Sequence, residues 1–185
     1  AAGDLVVADV VAPLGHDGWS VLSGIAGQIR ARADAWAVRS AAETVTYGEL
    51  WMRSGHVADI VSAASGGGAL RVAIGLVPGA DWVACLLGIW RAGAVAVPVN
   101  LDHPPARLRL LADSADLLIH AGGDVPTWWA DGKPTAALPA PGAAGIAASD
   151  LGIAPGTGTA CILHTSGSTG VPKPVVLGHG GLARR

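Results

Sequence analysis

Apolar positions recur along this chain with two alternating periods, and they divide its first two thirds into helices and strands. Between Ser20 and about Arg32, Leu22, Ile25 and Ile29 fall on one helical face. A short strand is expected around Val45, followed by Thr46-Tyr47-Gly48-Glu49. That spacing fits a capping box, in which a hydroxyl and a carboxylate three residues on satisfy the first free backbone N–H groups. The helix it opens turns Leu50, Val57 and Val61 inward and ends at Gly66-Gly67-Gly68. Arg71 to Val77 is a short β-branched apolar run bounded by Gly and Pro, which reads as a buried strand. Asp81 to Arg91 is expected to be a buried helix closed by Gly93, and Ala94 to Val99 the next strand. Pro98 in that strand removes one ladder donor. Pro104 and Pro105 suit the first turn of a helix carrying Leu108 and Leu111, with a further strand from Asp116 to His120.

The β-α-β-α-β order predicts an α/β fold, mostly a parallel sheet with helices on both faces. Gly122 to Gly158 breaks the pattern: five prolines and eight glycines lie there among many alanines, so residues 122–158 read as a loop or linker. Order returns with the strand Ala160 to Leu163. The expected division is therefore an α/β portion over 1–121, the linker over 122–158, and a strand plus a Ser/Gly-rich segment over 159–185.

Composition narrows the function classes. The chain has 185 residues, 51% hydrophobic and 14% charged, which excludes disorder throughout. Twelve Lys and Arg against fourteen Asp and Glu give a net charge of −2, with the basic residues scattered. That pattern argues against a nucleic-acid groove and against a polybasic membrane patch. The run from Trp82 to Trp90 is too short to span a bilayer, and Asp4 and Asp9 stand where an export signal carries positive charge. Cys85 and Cys161 lie far apart in apolar runs, so they are expected to be buried thiols in a reducing, cytoplasmic setting. The six histidines lack metal-ligand spacing, and Trp128-Trp129 are expected to pin the Gly/Pro-rich stretch to the body. With Ala1 at the start and Met52 the only methionine, the sequence is expected to be processed or part of something longer.

The chemistry concentrates in Thr165-Ser166-Gly167-Ser168-Thr169-Gly170-Val171-Pro172-Lys173. Four hydroxyls, two glycines and one of only two lysines follow a strand. Glycines let backbone N–H groups face inward, hydroxyls add donors and the lysine adds charge, a set suited to phosphate. A Ser/Gly-rich surface turn is the plain alternative. The spacing excludes G-x-x-x-x-G-K-[ST], since Val171 and Pro172 separate Gly170 from Lys173. It also excludes a G-x-S-x-G nucleophile elbow, and Gly156-Thr157-Gly158 lacks the third glycine of a dinucleotide fingerprint.

TSGSTGVPKPV (Thr165 to Val175) resembles the phosphate-binding signature of the adenylate-forming enzymes: nonribosomal peptide synthetase adenylation domains, acyl-CoA synthetases and luciferases. VTYGEL (Val45 to Leu50) resembles their early T-Y-x-E-L motif. Leu86 to Ile119 resembles the stretch L-K-A-G-x-A-Y-V-P-x-D…P-x-x-R-L in order and spacing. Ser168 and the Asp102-to-Leu108 segment lean towards the peptide-synthetase branch. The resemblance implies the N-terminal portion of an adenylation-domain core that uses ATP and Mg2+ to activate a small carboxylic acid or amino acid. Pyrophosphate leaves, and the acyl group passes to the phosphopantetheine thiol of a carrier protein. Ser166, Ser168, Thr169 and the Gly167 and Gly170 amides would donate to the β- and γ-phosphates. Thr165 and Lys173 would flank them, with Lys173 contributing to catalysis, and His179 would stand in a weaker role where the family often has a T-H pair.

This sequence departs from the family pattern at Pro174, where glycine is usual, and at Gly178 before His179. Trp90 and Arg91 replace a common Leu/Lys pair, and Ala96 replaces an aromatic. Both read as packing swaps. Tyr47 is the only tyrosine, so the family's Y-G-P-T-E stretch has no copy here. The expected partner is accordingly the remainder of the adenylation domain, and the chain alone is expected to be inactive. A non-catalytic adenylation-like module with a docking or structural role is the second expectation.

Overall fold

A computed structural model describes residues 21–66, 70–129, 132–138, 158–165 and 173–182, together with the backbone of residues 6–7. The two-residue β1 (Val6–Val7) pairs antiparallel with a strand further on. Helix α1 (Val21–Arg32) buries Leu22, Ile25 and Ala26, with Ile29 packed on the same core, as its 3.6-residue period requires. After it come β2 (Trp36–Arg39) and β3 (Thr44–Thr46), which complete a three-stranded antiparallel sheet of order β1-β2-β3. Strand β2 escapes sequence reading for a physical reason. Its register shifts between Trp36 and Val38, so Ala37 and Val38 are buried consecutively and no alternation survives.

Helix α2 (Tyr47–Ser65) begins with the expected box. Glu49 N–H donates to Thr46 Oγ1 at 3.2 Å, and Thr46 N–H donates to a Glu49 carboxylate oxygen at 2.8 Å. It ends at Gly66, whose φ of +52° is the left-handed cap that glycine takes without strain. Leu50, Val57 and Val61 are buried as the spacing requires. The backbone hydrogen bond from Thr46, first among several causes, holds the Glu49 carboxyl below its ordinary range. A folded-state value below the unfolded one gives stability above the unfolded range, lost as pH falls through the folded value. Thr46→Ala is expected to cost about 1 kcal/mol near neutrality, measured by urea unfolding, with a smaller penalty in acid.

The main sheet contains β4 (Arg71–Gly75), β5 (Val95–Pro98) and β6 (Leu117–His120), linked by α3 (Ala80–Arg91) and α4 (Pro105–Ala112). It is extended by β7 (Thr135–Ala137), β8 (Thr159–Thr165) and β9 (Lys173–Gly178), and the last strand runs into the short helix α5 (His179–Leu182). The order is β7-β6-β4-β5-β8-β9, parallel throughout except for the antiparallel β8–β9 pair. Strand β7 lies inside the stretch whose composition predicts only loop. Its three residues carry no period, yet Thr135, Ala136 and Ala137 pair with Leu118, Ile119 and His120 at the sheet edge.

Side-chain alternation in the parallel strands divides the core. Val72, Ile74, Leu117 and Ile119 face the helices α1, α2 and α3 on one side. Ala73, Val97 and Leu118 face Leu108 and Leu111 of α4, with Trp128 and Trp129, on the other. The helices therefore cover both faces. Pro98 is the last residue of β5, and Val99 N–H beyond it still donates to Ile74 O at 3.4 Å, so the missing donor leaves the bonding to β4 intact. Trp128 and Trp129 lie in this second cluster, packed edge to face with ring centroids 6.1 Å apart. They thus tie the segment after β6 to the body, and Cys85 and Cys161 are buried free thiols. No helix among the described residues is long and apolar enough to cross a membrane.

Candidate phosphate-binding site

Strand β8 ends with Thr165 at the carboxyl-terminal edge of the parallel strands. Open α/β sheets bind ligands at that edge, because parallel strands leave a crevice there. Thr165, the last residue of β8, is the Cα partner of Lys173, the first of β9. The Thr165 hydroxyl donates to the Lys173 carbonyl oxygen at 3.5 Å, and both residues are exposed. A hydroxyl and an ammonium group thus share one mouth, with Cα atoms about 5 Å apart as antiparallel pairing dictates. Among the described residues no carboxylate is paired with Lys173. Ser166, Gly167, Ser168, Thr169 and Gly170 lie outside the described residues. Pro174 is part of β9 and pairs with His164, on an edge strand where a proline removes the fewest ladder bonds.

His179 is not brought to this mouth. It follows β9 at the opposite end from Lys173, about 20 Å away along the strand at roughly 3.3 Å per residue. Its backbone N–H donates to Gly158 O at 3.2 Å, and its buried ring meets Trp90 edge-on with centroids 5.4 Å apart. Burial holds the His179 imidazole below the ordinary histidine range, and its Nδ1 has no hydrogen-bond partner among the described residues. The Trp90 indole N–H donates to Ala160 O at 2.8 Å, so one aromatic side chain joins α3, β8 and α5.

Two residues to which the sequence assigned no site role lie closer to the mouth. His164 immediately precedes Thr165, and Arg107 stands in the first turn of α4. Burial, then the Arg107 charge, pushes the His164 imidazole below its ordinary range. The signals in sequence were a lone His beside the motif and the Arg of the P-x-x-R-L stretch, and neither points to phosphate by itself.

A profile of the family described as "AMP-binding enzyme" matches residues 25–185. Pyochelin synthetase PchF of Pseudomonas aeruginosa is 33% identical over 168 residues, which cover 86% of this chain and 9% of PchF. Syringomycin synthase SyrB1 of Pseudomonas syringae pv. syringae is 34% identical over 152 residues, covering 80% of this chain and 25% of SyrB1. The chain thus spans a quarter or less of either relative. Among solved structures, the four-domain nonribosomal peptide synthetase AB3403, bound to AMP and glycine, superposes with a TM-score of 0.73 at 26% identity. The match covers 91% of this chain and 12% of AB3403. The N-terminal subdomain of Klebsiella oxytoca NpsA gives a TM-score of 0.70 at 23% identity, covering 89% of this chain and 44% of that one.

Proposed function

The chain belongs to the AMP-binding enzyme family, and from that premise we propose that it supplies the phosphate-contacting, N-terminal part of an ATP-dependent amino-acid adenylation domain. The observation that carries this reading is the pairing of Thr165 with Lys173 at the carboxyl-terminal edge of the sheet. The donor set fits a triphosphate tail: an ammonium group with no carboxylate partner among the described residues and a hydroxyl at one mouth, with hydroxyl-bearing Ser166, Ser168 and Thr169 between them in sequence. In the reaction, the acid's carboxylate displaces pyrophosphate from ATP to give an acyl adenylate, and a carrier-protein thiol then displaces AMP.

Lys173 offsets negative charge on the β- and γ-phosphates, and fixed donors around them need little reorganisation as charge moves towards the leaving group. Gly167 and Gly170 permit backbone amides to turn inward. Mg2+ would screen the phosphates. Among the described residues no group of three His, Cys, Asp or Glu side chains could hold it, so it would arrive with the nucleotide. His179, distant from Lys173 and packed on Trp90, supports the fold of the hairpin's far end.

The test is amino-acid-dependent ATP–pyrophosphate exchange by this chain alone and by the full-length protein that contains it. Exchange is expected from the full-length protein with at least one amino acid and none from the chain alone. The chain's one tyrosine, Tyr47, is buried on α2, so a Tyr-Gly-Pro-Thr-Glu stretch would have to come from elsewhere in the full-length protein. Activity of the chain alone would overturn its dependence on further residues. Silence of the full-length protein with every amino and aryl acid would favour the non-catalytic, docking module.

A further inference from the structure

The hairpin mouth has a neighbour on the α4 face of the sheet. Ile162 of β8 packs against the cluster that contains Leu108 and Leu111 of α4. His164 lies two residues further along the strand and so faces the same way. The chain leaves β5 at its carboxyl-terminal end, at Pro98, and enters α4 at Pro105 after a six-residue connection. The first turn of α4 therefore lies on the side of the edge where β8, the neighbour of β5, delivers Thr165, and the Arg107 charge reaches the His164 ring. Arg107 stands in that turn. Its Nε and the Nδ1 of His164 are buried atoms with no hydrogen-bond partner among the described residues.

Each of these atoms loses hydration on folding and recovers no hydrogen bond among the described residues, which disfavours the folded state until a ligand supplies one. Two such atoms, on a cation and on a ring next to the phosphate-binding segment, need one acceptor that both can share. We propose that Arg107 and His164 form an anion subsite on the α4 side of the hairpin mouth that takes a phosphate oxygen between the Arg107 Nε–H and the His164 ring. This inference rests on the adenylation reading and adds two positioning residues to it. An oxygen held there accepts from Arg107 and from a protonated His164 Nδ1. It also cancels the field of Arg107, the charge that acts on the ring. The subsite therefore couples phosphate occupancy to the protonation of His164.

NMR of the histidine rings of the full 185-residue chain, titrated in pH with and without millimolar inorganic pyrophosphate, tests this. His164→Gln assigns the signal. Without pyrophosphate the ring is expected to titrate below the ordinary histidine range. Pyrophosphate should ease its protonation about tenfold, the equivalent of one pH unit. Arg107→Gln should raise the free value and abolish the response, whereas Arg107→Lys keeps the charge, lacks the Nε–H, and should bind pyrophosphate about tenfold more weakly. If pyrophosphate moves the Thr165 and Lys173 amide signals but not the His164 ring, the subsite is refuted and the hairpin reading stands. If it moves neither, both fail. A ring response of equal size in a folded Arg107→Gln chain also refutes the subsite, and the unsubstituted chain decides the matter should that variant unfold.

Discussion

Lys173→Ala in the full-length protein should lower the rate of ATP–pyrophosphate exchange by about 100-fold, the scale on which losing one preorganised charge-stabilising donor acts. The lysine stands opposite Thr165 with no carboxylate partner among the described residues, so its ammonium charge is available to a ligand. The only other lysine supplies the control. Lys133 Nζ donates to Ala112 O at 3.1 Å and Ala115 O at 2.9 Å, and lies 5.1 Å from the centre of the Trp129 ring. Its ammonium group is held by two carbonyls at the carboxyl-terminal end of α4, away from the hairpin mouth. Lys133→Ala should therefore cost about 1–3 kcal/mol in unfolding experiments, the charge-assisted hydrogen-bond range. Below its melting temperature its exchange rate should remain near that of the unsubstituted protein. Equal losses of exchange in the two variants would remove Lys173 from the site.

Gly88→Ala is expected to be among the most damaging single-methyl changes in the fold. A Cβ at residue 88 would stand 2.4 Å from Val57 Cβ and 2.5 Å from Ser54 O. The second of those atoms belongs to the backbone of α2, so no side-chain rotation relieves the clash. Helix propensity alone would favour alanine by up to about 1 kcal/mol. Sterics reverse the sign, because α2 and α3 must separate and the cluster around Val57, Val61 and Leu87 opens with them. A net loss of about 3 kcal/mol or more is expected in urea unfolding, a large part of ordinary domain stability. Gly27→Ala on the exposed side of α1 meets nothing within 4 Å and should be neutral or stabilising. Similar results at the two positions would contradict the close approach of α2 and α3.

Regular periods made most of the fold legible before any coordinates. The Thr46–Glu49 box, the Leu50/Val57/Val61 stripe and the β4, β5 and β6 runs are local patterns, and each is found where its spacing puts it. What escaped depends on partners distant in sequence. Strand β2 is bulged, and β7 is held by pairing with β6 rather than by its own residues. Trp90 and Arg91 read as tolerated swaps, but they are structural ties. The Trp90 indole N–H reaches Ala160 O, and the Arg91 guanidinium donates to Trp51 O at 2.7 Å and lies 3.9 Å over the Trp51 ring. Gly88 carried no signal either, because its need for a bare Cα arises from α2, thirty residues earlier in the chain.

For the candidate site, the Thr165-to-Lys173 motif was visible as composition and as a family signature, and its two ends pair across the hairpin. Sequence grouped His179 with that motif because the two are close along the chain. An extended strand separates them in space, since six strand residues carry the backbone to the other end of the sheet. Arg107 and His164 show the converse, with more than fifty positions between them and a shared position at one edge. Sequence proximity measures distance well within a helix and poorly along a strand.

Strand β9 closes the six-stranded sheet, and among the described residues nothing pairs with its outer side. Leu163, Val175 and Val176 are exposed on this hairpin. An exposed edge of that composition recruits strands from other molecules, and Lys173 and Pro174 at its start act against such pairing. Concentrated solutions of this polypeptide should therefore turn cloudy through strand-to-strand stacking.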